Sequence, residues 1–469
     1  MSTIIFYARS LQTKFYGLIG LELEESYKTI YIVQNYQENK LLLDLNCKGK
    51  IYNIQDYIKQ KWNNDDILNK INLEDFENDY NISSLWEIFY TDRFLYEFKY
   101  EDSNKIMKLL ISLFKKIFSE NKPDVLVNEE IAIFSSYLMY FFCRKNNCKY
   151  LGLANPRQIG DKKTAFVNSY KNNFYLLDAI YSNNNFTQEQ LTEAENFISN
   201  FIEKELIPPY MDKGFFSKKK PKIKDSLIAL VKYFYHSIKP KEKADYMRFY
   251  QRNVVLKKAS FYFKYLIQKK HYSLPNPKEK YYYFPLHYQP EASTLVSAPN
   301  YEKQQFAMDL IAKKIPIGSI LYIKEHFSVV GHREMSFYKA LKKYPNVKLI
   351  SPWENSHKLI QNSEGVITLT GTAGWETVLY GKPVFVLGNV FYNSFKYTNV
   401  IDNINNLPEV IKNHKIKEIS KKQYKAELSK YVAAYIKSSK DGVSYLGSEK
   451  LLDKQNIKNL SKAIIDELY

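Results

Sequence analysis

Residues 365–388 read GVITLTGTAGWETVLYGKPVFVLG, and their reading decides the fold. Val366 to Thr370 is an apolar, β-branched run of strand length. It breaks at Gly371-Thr372-Ala373-Gly374, after which Trp375 to Tyr380 has the pattern of a short helix. Gly381-Lys382-Pro383 stops that helix, and Val384 to Leu387 makes the next strand. A strand, a glycine turn and a helix start bring backbone N–H groups and the positive helix end to one point, which suits a phosphate. Glu376, read as part of the first helical turn, is placed to accept hydrogen bonds from ribose hydroxyls.

The same rhythm extends outward from Tyr281 to Phe395. YYYFPLHYQPEAST (281–294) and ILYIKEHF (320–327) each open as a strand and end in polar residues. Strands are predicted at 281–286, 320–325, 347–351, 366–370 and 383–387, with helices near 301–314, 333–343, 355–362 and 375–380. Such alternation implies a parallel, doubly wound sheet whose ligands sit beyond the carboxyl ends of the strands. The residues with chemistry fall at those ends: His287, Gln289 and Glu291 after the first strand, Lys324, Glu325 and His326 after the second, and Thr370 to Gly374 after the fourth. His287, His326, His332 and His357 all lie in this stretch. Any one alone reads equally well as an ordinary loop histidine, whereas several near one sheet edge read as a site.

The strings KEHF, TGTAGWE and GKPVFVLG resemble those of the capsule polysaccharide synthesis family, which includes bacterial transferases of Kdo and related acidic sugars from CMP-activated donors. The resemblance is close in this C-terminal stretch and extends to the N-terminal half only in layout. It implies a GT-B arrangement, with two Rossmann-like domains facing a cleft. The family carries a Lys-x-His-Pro signature, and here Phe327 stands where proline is usual. By resemblance, Lys324, His326, Thr370, Gly371, Thr372 and Glu376 bind the donor. Gly374 completes the phosphate turn, and His287, Gln289 and Glu291 lie near the sugar.

In the N-terminal half, strands are predicted at Ile4 to Ala8, Thr29 to Val33, Leu41 to Leu45 and Lys50 to Ile54, with a helix from Leu11 to Tyr27. The acids Glu74, Asp75, Glu77 and Asp79 include an acid-x-acid pair of the kind that binds metal in other glycosyltransferases. A solvated acidic loop is the commoner outcome, so no metal ligand is assigned. From Ser103 the apolar positions Ile106, Leu109, Leu110, Leu113 and Ile117 recur with helical period. Pro123 ends that helix, Asp124 to Val127 forms a strand, Ile131 to Lys145 a helix, and Tyr150 to Leu153 a further strand. This βαβ pattern gives a second Rossmann-like domain. Glu129 and Glu130, at its strand end, join His287 and Glu291 as candidate catalytic groups, for deprotonating an acceptor hydroxyl or attacking an anomeric carbon. The two glutamates also read as helix-start acids that complement the dipole. Arg9 and Arg157, likewise at strand ends, are candidates to hold a sugar carboxylate.

With 469 residues, 45% of them hydrophobic, the chain is long enough for two or three globular domains. Its 41 Tyr and 29 Phe fit an AT-rich coding bias. Cys47, Cys143 and Cys148 have no CxxC spacing and suit a reducing compartment. No signal peptide or long apolar span is visible, so a cytoplasmic protein is expected. Residues 211–280 hold 19 Lys and Arg against 5 Asp and Glu, within a formal net charge of +18. Interleaved with Phe and Tyr, this segment reads as solvated helix faces or as a peripheral contact with an anionic membrane. Nucleic acid also attracts such charge, but no nucleic-acid-binding fingerprint accompanies it and none is expected as a partner.

The predicted organisation is an acceptor-side Rossmann-like domain (1–180), a helical basic segment and linker (181–277), a nucleotide-sugar-binding domain (278–420), and C-terminal helices (421–469) that pack back on the N-terminal domain. The expected class is α/β and GT-B-like. The expected activity is glycosyl transfer of an acidic sugar, Kdo or a nonulosonate from a CMP donor, to a capsular, surface or lipid-linked glycan. Neither cofactor nor metal is called for. A sugar-nucleotide epimerase of similar layout and a non-catalytic nucleotide- or glycan-binding member are the alternatives.

Overall fold

A computed structural model describes residues 1–468 except 97, 172, 209–221, 225, 229, 232–245, 247–259 and 342. The chain folds into two compact units. One gathers Met1–Tyr170, a short piece around Tyr246, and the chain from Ser439 onward; the other holds the rest of Lys171 to Ser438.

The first unit is built on seven strands: β1 (Thr3–Tyr7), β2 (Lys28–Val33), β3 (Lys50–Asn53), β4 (Val125–Glu129), β5 (Lys149–Ala154), β6 (Lys163–Val167) and, far along the chain, β13 (Lys440–Asp441). Their order is β13-β6-β5-β4-β1-β2-β3. The five strands from β5 to β3 run parallel, and β6 and β13 add antiparallel pairs at one edge. TIIFY in β1 is buried at every position, as expected where helices cover both sheet faces.

The second unit carries β7 (Tyr281–Pro285), β8 (Ile320–Lys324), β9 (Val347–Ile350), β10 (Gly365–Thr368), β11 (Val384–Val386) and β12 (Asn399–Val400). All are parallel, in the order β12-β11-β10-β7-β8-β9. Alternation within β7 shows why both faces are covered. Tyr282 and Phe284 join Ala307, Met308 and Ile311 of the Gln304–Ala312 helix in one core. Tyr281 and Tyr283 join Leu359 and Ile360 of the Ser356–Asn362 helix in another, against which Ala373 and Tyr380 pack. A period of two on the strand therefore becomes two cores. The α/β class with two Rossmann-like units holds.

Several boundaries differ from the sequence reading. Leu41 to Leu45 is not a strand, because Tyr36–Asp44 is a helix. Its cap is Asn35, whose side chain accepts from the Gln37 and Glu38 N–H groups, and this local start outweighs the β-like look of three leucines. Glu77 and Asp79 lie two apart on the Leu73–Tyr80 helix, so they point away from each other. Glu77 is occupied with the Leu85 N–H at 2.5 Å. The C-terminal helices divide between the units. Lys421–Ser438 stays in the second, packed on the Tyr175–Asn183 and Gln188–Lys204 helices, whereas Lys454–Asp466 packs on Thr13–Leu23 in the first. Aromatic contacts explain the first attachment. Tyr181 meets Tyr431 edge-on at 4.8 Å and donates to Glu427 at 2.5 Å.

Most of the basic stretch at 211–280, including Lys218 to Lys220, Phe215, Phe216, Phe234 and Tyr235, lies outside the described residues. Among the described residues no helix is long and apolar enough to cross a membrane. The three cysteines are buried free thiols.

Tyr435 is fully buried against Trp375, Phe391 and Phe174, with ring centroids 5.1, 5.4 and 6.3 Å away. Tyr435→Ala is expected to cost about 3–5 kcal/mol, the size of a large aromatic truncation in a packed core. Denaturant unfolding measures the loss.

Candidate functional site

In the order β9-β8-β7-β10-β11, the chain winds one way from β7 and the other way from β10. The carboxyl ends of these two neighbours form the switch point, where an open α/β sheet leaves a crevice. His287 stands two residues beyond β7 and Thr370 two beyond β10, and they touch. The Thr370 N–H donates to His287 Nε2 at 3.2 Å, and the Thr370 hydroxyl donates to the Ser293 carbonyl at 2.9 Å. His287 is 8% exposed and its backbone is held on both sides: its N–H donates to Gln304 Oε1 at 2.7 Å, and its carbonyl accepts from Gln304 Nε2 at 3.1 Å.

The helix after β10 runs Thr372–Leu379, so it begins three residues before the predicted Trp375. Gly-Thr-Ala-Gly is thus the cap and first turn of the helix, not a turn preceding it. Gly371 occupies the cap position and offers no side chain to the first-turn N–H groups. The Asn35, Asn355 and Thr187 caps elsewhere do offer one. Gly374 is required for packing, since a Cβ there would lie 2.2 Å from the Tyr392 hydroxyl, which donates to the Gly371 carbonyl at 2.7 Å. Glu376 falls past the first turn and is 5% exposed; burial, with a smaller contribution from the Glu376 charge, raises the pKa of Tyr283.

Lys324 ends β8 and donates to Ser356 Oγ at 2.6 Å. Glu325, 1% exposed, accepts from Arg333 Nε at 3.0 and 2.9 Å and from the Tyr338 hydroxyl at 2.9 Å. The remaining guanidinium nitrogens of Arg333 donate to Gln289 Oε1 at 3.3 Å and to the His287 carbonyl at 3.0 Å. Gln289 also donates to the Glu302 carbonyl. Glu291 occupies the position before the short Ala292–Leu295 helix, without a side-chain bond to its first turn, and accepts from Ser293 Oγ at 3.4 Å.

His326 accepts the Ser328 N–H on Nδ1 at 3.3 Å, which leaves the ring proton on Nε2. Burial, then the charges of Lys324 and Arg333, lower its pKa to about 4. His326 therefore stands as a neutral N–H donor instead of a cation, beside the charges of Lys324 and Arg333.

The structure thus gathers His287, Gln289, Lys324, His326, Thr370 and Gly371 at the carboxyl ends of β7, β8 and β10, with Thr372, Gly374 and Glu376 on the adjoining helix. Arg9, Glu129, Glu130 and Arg157 belong to the first unit. There β1 and β4 form the corresponding switch point. The Arg9 guanidinium ion-pairs with Glu129, and Gln12 Nε2 donates to the other Glu129 oxygen at 2.9 Å. Glu130 is half-buried in the bend after β4, and Arg157 half-buried in the turn after β5. Sequence reading missed Ser293, Gln304, Arg333 and Ser356. Only Ser356 carried a local signal, the Asn-Ser start of a helix.

These features define a doubly wound α/β unit with a glycine-capped helix and a histidine at its switch point, and a lysine and a second histidine at the next strand end. The chain belongs to the capsule polysaccharide biosynthesis protein family, whose pattern matches residues 179–439. No curated protein matches the chain. Among solved structures, it is similar to the Thermosulfurimonas dismutans KpsC beta Kdo 2,7 transferase at 14% identity, over 76% of this chain and 89% of that one, with a TM-score of 0.40. The beta Kdo 2,4 transferase of the same protein gives 15% identity over 73% and 87%, TM-score 0.41. The UDP-GlcNAc 2-epimerase of Neisseria meningitidis gives 14% over 100% and 99%, TM-score 0.27.

Since the folded pKa of His326 lies below the ordinary 6.5, the unfolded chain takes up this proton first. The group therefore lowers stability as pH falls from about 6.5 toward 4. Long-range ¹H–¹⁵N spectra are expected to show His326 neutral and protonated on Nε2 down to about pH 4. A titration near 6.5 contradicts this assignment.

Proposed function

We propose that the chain is a glycosyltransferase that takes a sugar from a nucleotide donor and passes it to a bacterial glycan. The observation that carries this reading is the second unit's switch point, where the helix capped by Gly371 starts beside His287, with Lys324 and His326 at the next strand end. A helix start without a side-chain cap suits a phosphate oxygen, and a lysine supplies the countercharge. Membership of a capsule biosynthesis family supports the glycan direction.

In this reading Gly371, Thr372 and Gly374 shape the phosphate seat, while Lys324 and His326 contact the phosphate from the β8 side. Thr370 holds the His287 ring, and Glu376 serves the ribose. His287, Gln289 and Glu291 border the sugar. Glu129 and Glu130 are the carboxylates proposed for catalysis, and Arg157 with Arg9 for a sugar carboxylate. Arg9 must then exchange Glu129 for substrate. The donor is a CMP-linked acidic sugar such as Kdo, by the resemblance of the KEHF and TGTAGWE strings, and the acceptor a capsular or lipid-linked glycan. No metal or cofactor enters. Attraction of the 211–280 charge to an anionic membrane surface belongs to the same proposal, and co-sedimentation with anionic vesicles at low salt reads it out.

Incubation with CMP-Kdo, UDP-GlcNAc and a GDP-sugar, with and without a Kdo-ended glycan, is the test. Acceptor-dependent release of CMP is expected. Glu129→Gln is expected to keep donor affinity and lose most turnover. Isomerised nucleotide sugar formed without acceptor would instead identify an epimerase, and no release from any donor would count against the reading.

A further inference from the structure

Arg333 lies 46 positions beyond His287 in the sequence, and nothing in the KEHF or HYQPE strings points to it. Its side chain is 11% exposed and that of its partner Glu325 is 0% exposed. A buried ion pair of this kind persists only when the remaining hydrogen-bonding capacity is used. Glu325 is filled by Arg333, the Tyr338 hydroxyl and the His326 N–H at 3.0 Å. The other two guanidinium nitrogens leave the β8 loop altogether, reaching Gln289 Oε1 and the His287 carbonyl on the β7 loop. The Phe337 ring supports the guanidinium, 5.0 Å from its centroid.

We propose that Arg333 is a positioning residue that fixes the loop at 287–291 and the loop at 324–327 as one rigid surface. The rigid planar fork is what the task needs, since three acceptors lie in different directions and one of them is a main-chain carbonyl. By holding the His287 carbonyl, Arg333 sets where the His287 ring meets Thr370 N; by holding Glu325, it sets the approach of His326. The two loops then enter the reaction already arranged, which favours turnover more than ground-state binding.

This inference rests on the proposed transfer reaction for its kinetic readout, but local hydrogen exchange tests the clamp without it. Arg333→Lys keeps the countercharge for Glu325 and loses the fork. Glu325→Gln with Arg333→Met removes both charges, so no lone charge is left buried. For each variant, the measurements are thermal unfolding, amide exchange over 286–292, and CMP-Kdo turnover. The expected result is near-wild-type unfolding, at least tenfold faster exchange over 286–292, and at least a tenfold loss in kcat with KM for CMP-Kdo changed less than threefold. Wild-type exchange in both variants, or wild-type kcat in either beside an active wild type, overturns the proposal. Failure of both variants to fold also overturns it, in favour of a purely structural ion pair. A wild type inactive on CMP-Kdo counts against the transfer reading alone, and the exchange measurement still decides the clamp.

Discussion

The hydrogen bond from the Thr370 N–H to His287 Nε2 joins the two strand ends from which the second unit is wound in opposite directions. Much of the candidate site depends on it. Chain leaving β7 builds the helix in one core, and chain leaving β10 builds the helix against the other, so the sheet edge opens between them. A crevice so formed is where an open α/β sheet takes its ligands. Here a buried imidazole spans it, held through its own backbone by Gln304 and Arg333. Gly371 follows at once, and a Cβ at that residue would sit 3.2 Å from the same Nε2. Glycine at the helix cap and histidine on the facing loop are thus a matched pair.

The first unit repeats the arrangement with different chemistry. At its switch point β1 and β4 present Arg9 and Glu129, tied to each other, in place of a histidine and a glycine-capped helix. Deeper in that unit Asp92 is fully buried, accepts from the Phe94 and Phe134 N–H groups at 2.9 and 3.2 Å, and is pushed by burial to about pKa 6. Both edges carry an arginine tied to a glutamate, Arg9 to Glu129 and Arg333 to Glu325, and the second adds a glycine-capped helix start, a lysine and two histidines.

Much of this was legible in the sequence because parallel strands buried on both faces are continuous apolar runs, and their polar ends stand out. YYYFP before His287 and ILYIK before Glu325 gave the strand ends to within a residue or two. The start of the Thr372–Leu379 helix was not legible. Glycine and threonine are weak helix formers, and only the Tyr392 hydroxyl against Gly374 shows why glycine is needed inside the first turn. Leu41 to Leu45 misled because composition suggested a strand while Asn35 had already started a helix. Arg333 was invisible for another reason. Two of its three partners, His287 and Gln289, lie 46 and 44 positions back in the sequence, and only the folded loops bring them together. The attachment of the Lys421–Ser438 helix likewise rests on tyrosines whose partners lie some 250 positions away, as in Tyr181 with Glu427.

A crystal structure of the protein with CMP bound tests the central claim most directly. The phosphate is expected at the start of the Thr372–Leu379 helix, within hydrogen-bond distance of its first-turn N–H groups and of Lys324, with His326 donating from Nε2. A nucleotide phosphate bound elsewhere, with this helix start and the His287–Thr370 contact untouched by ligand, would contradict it.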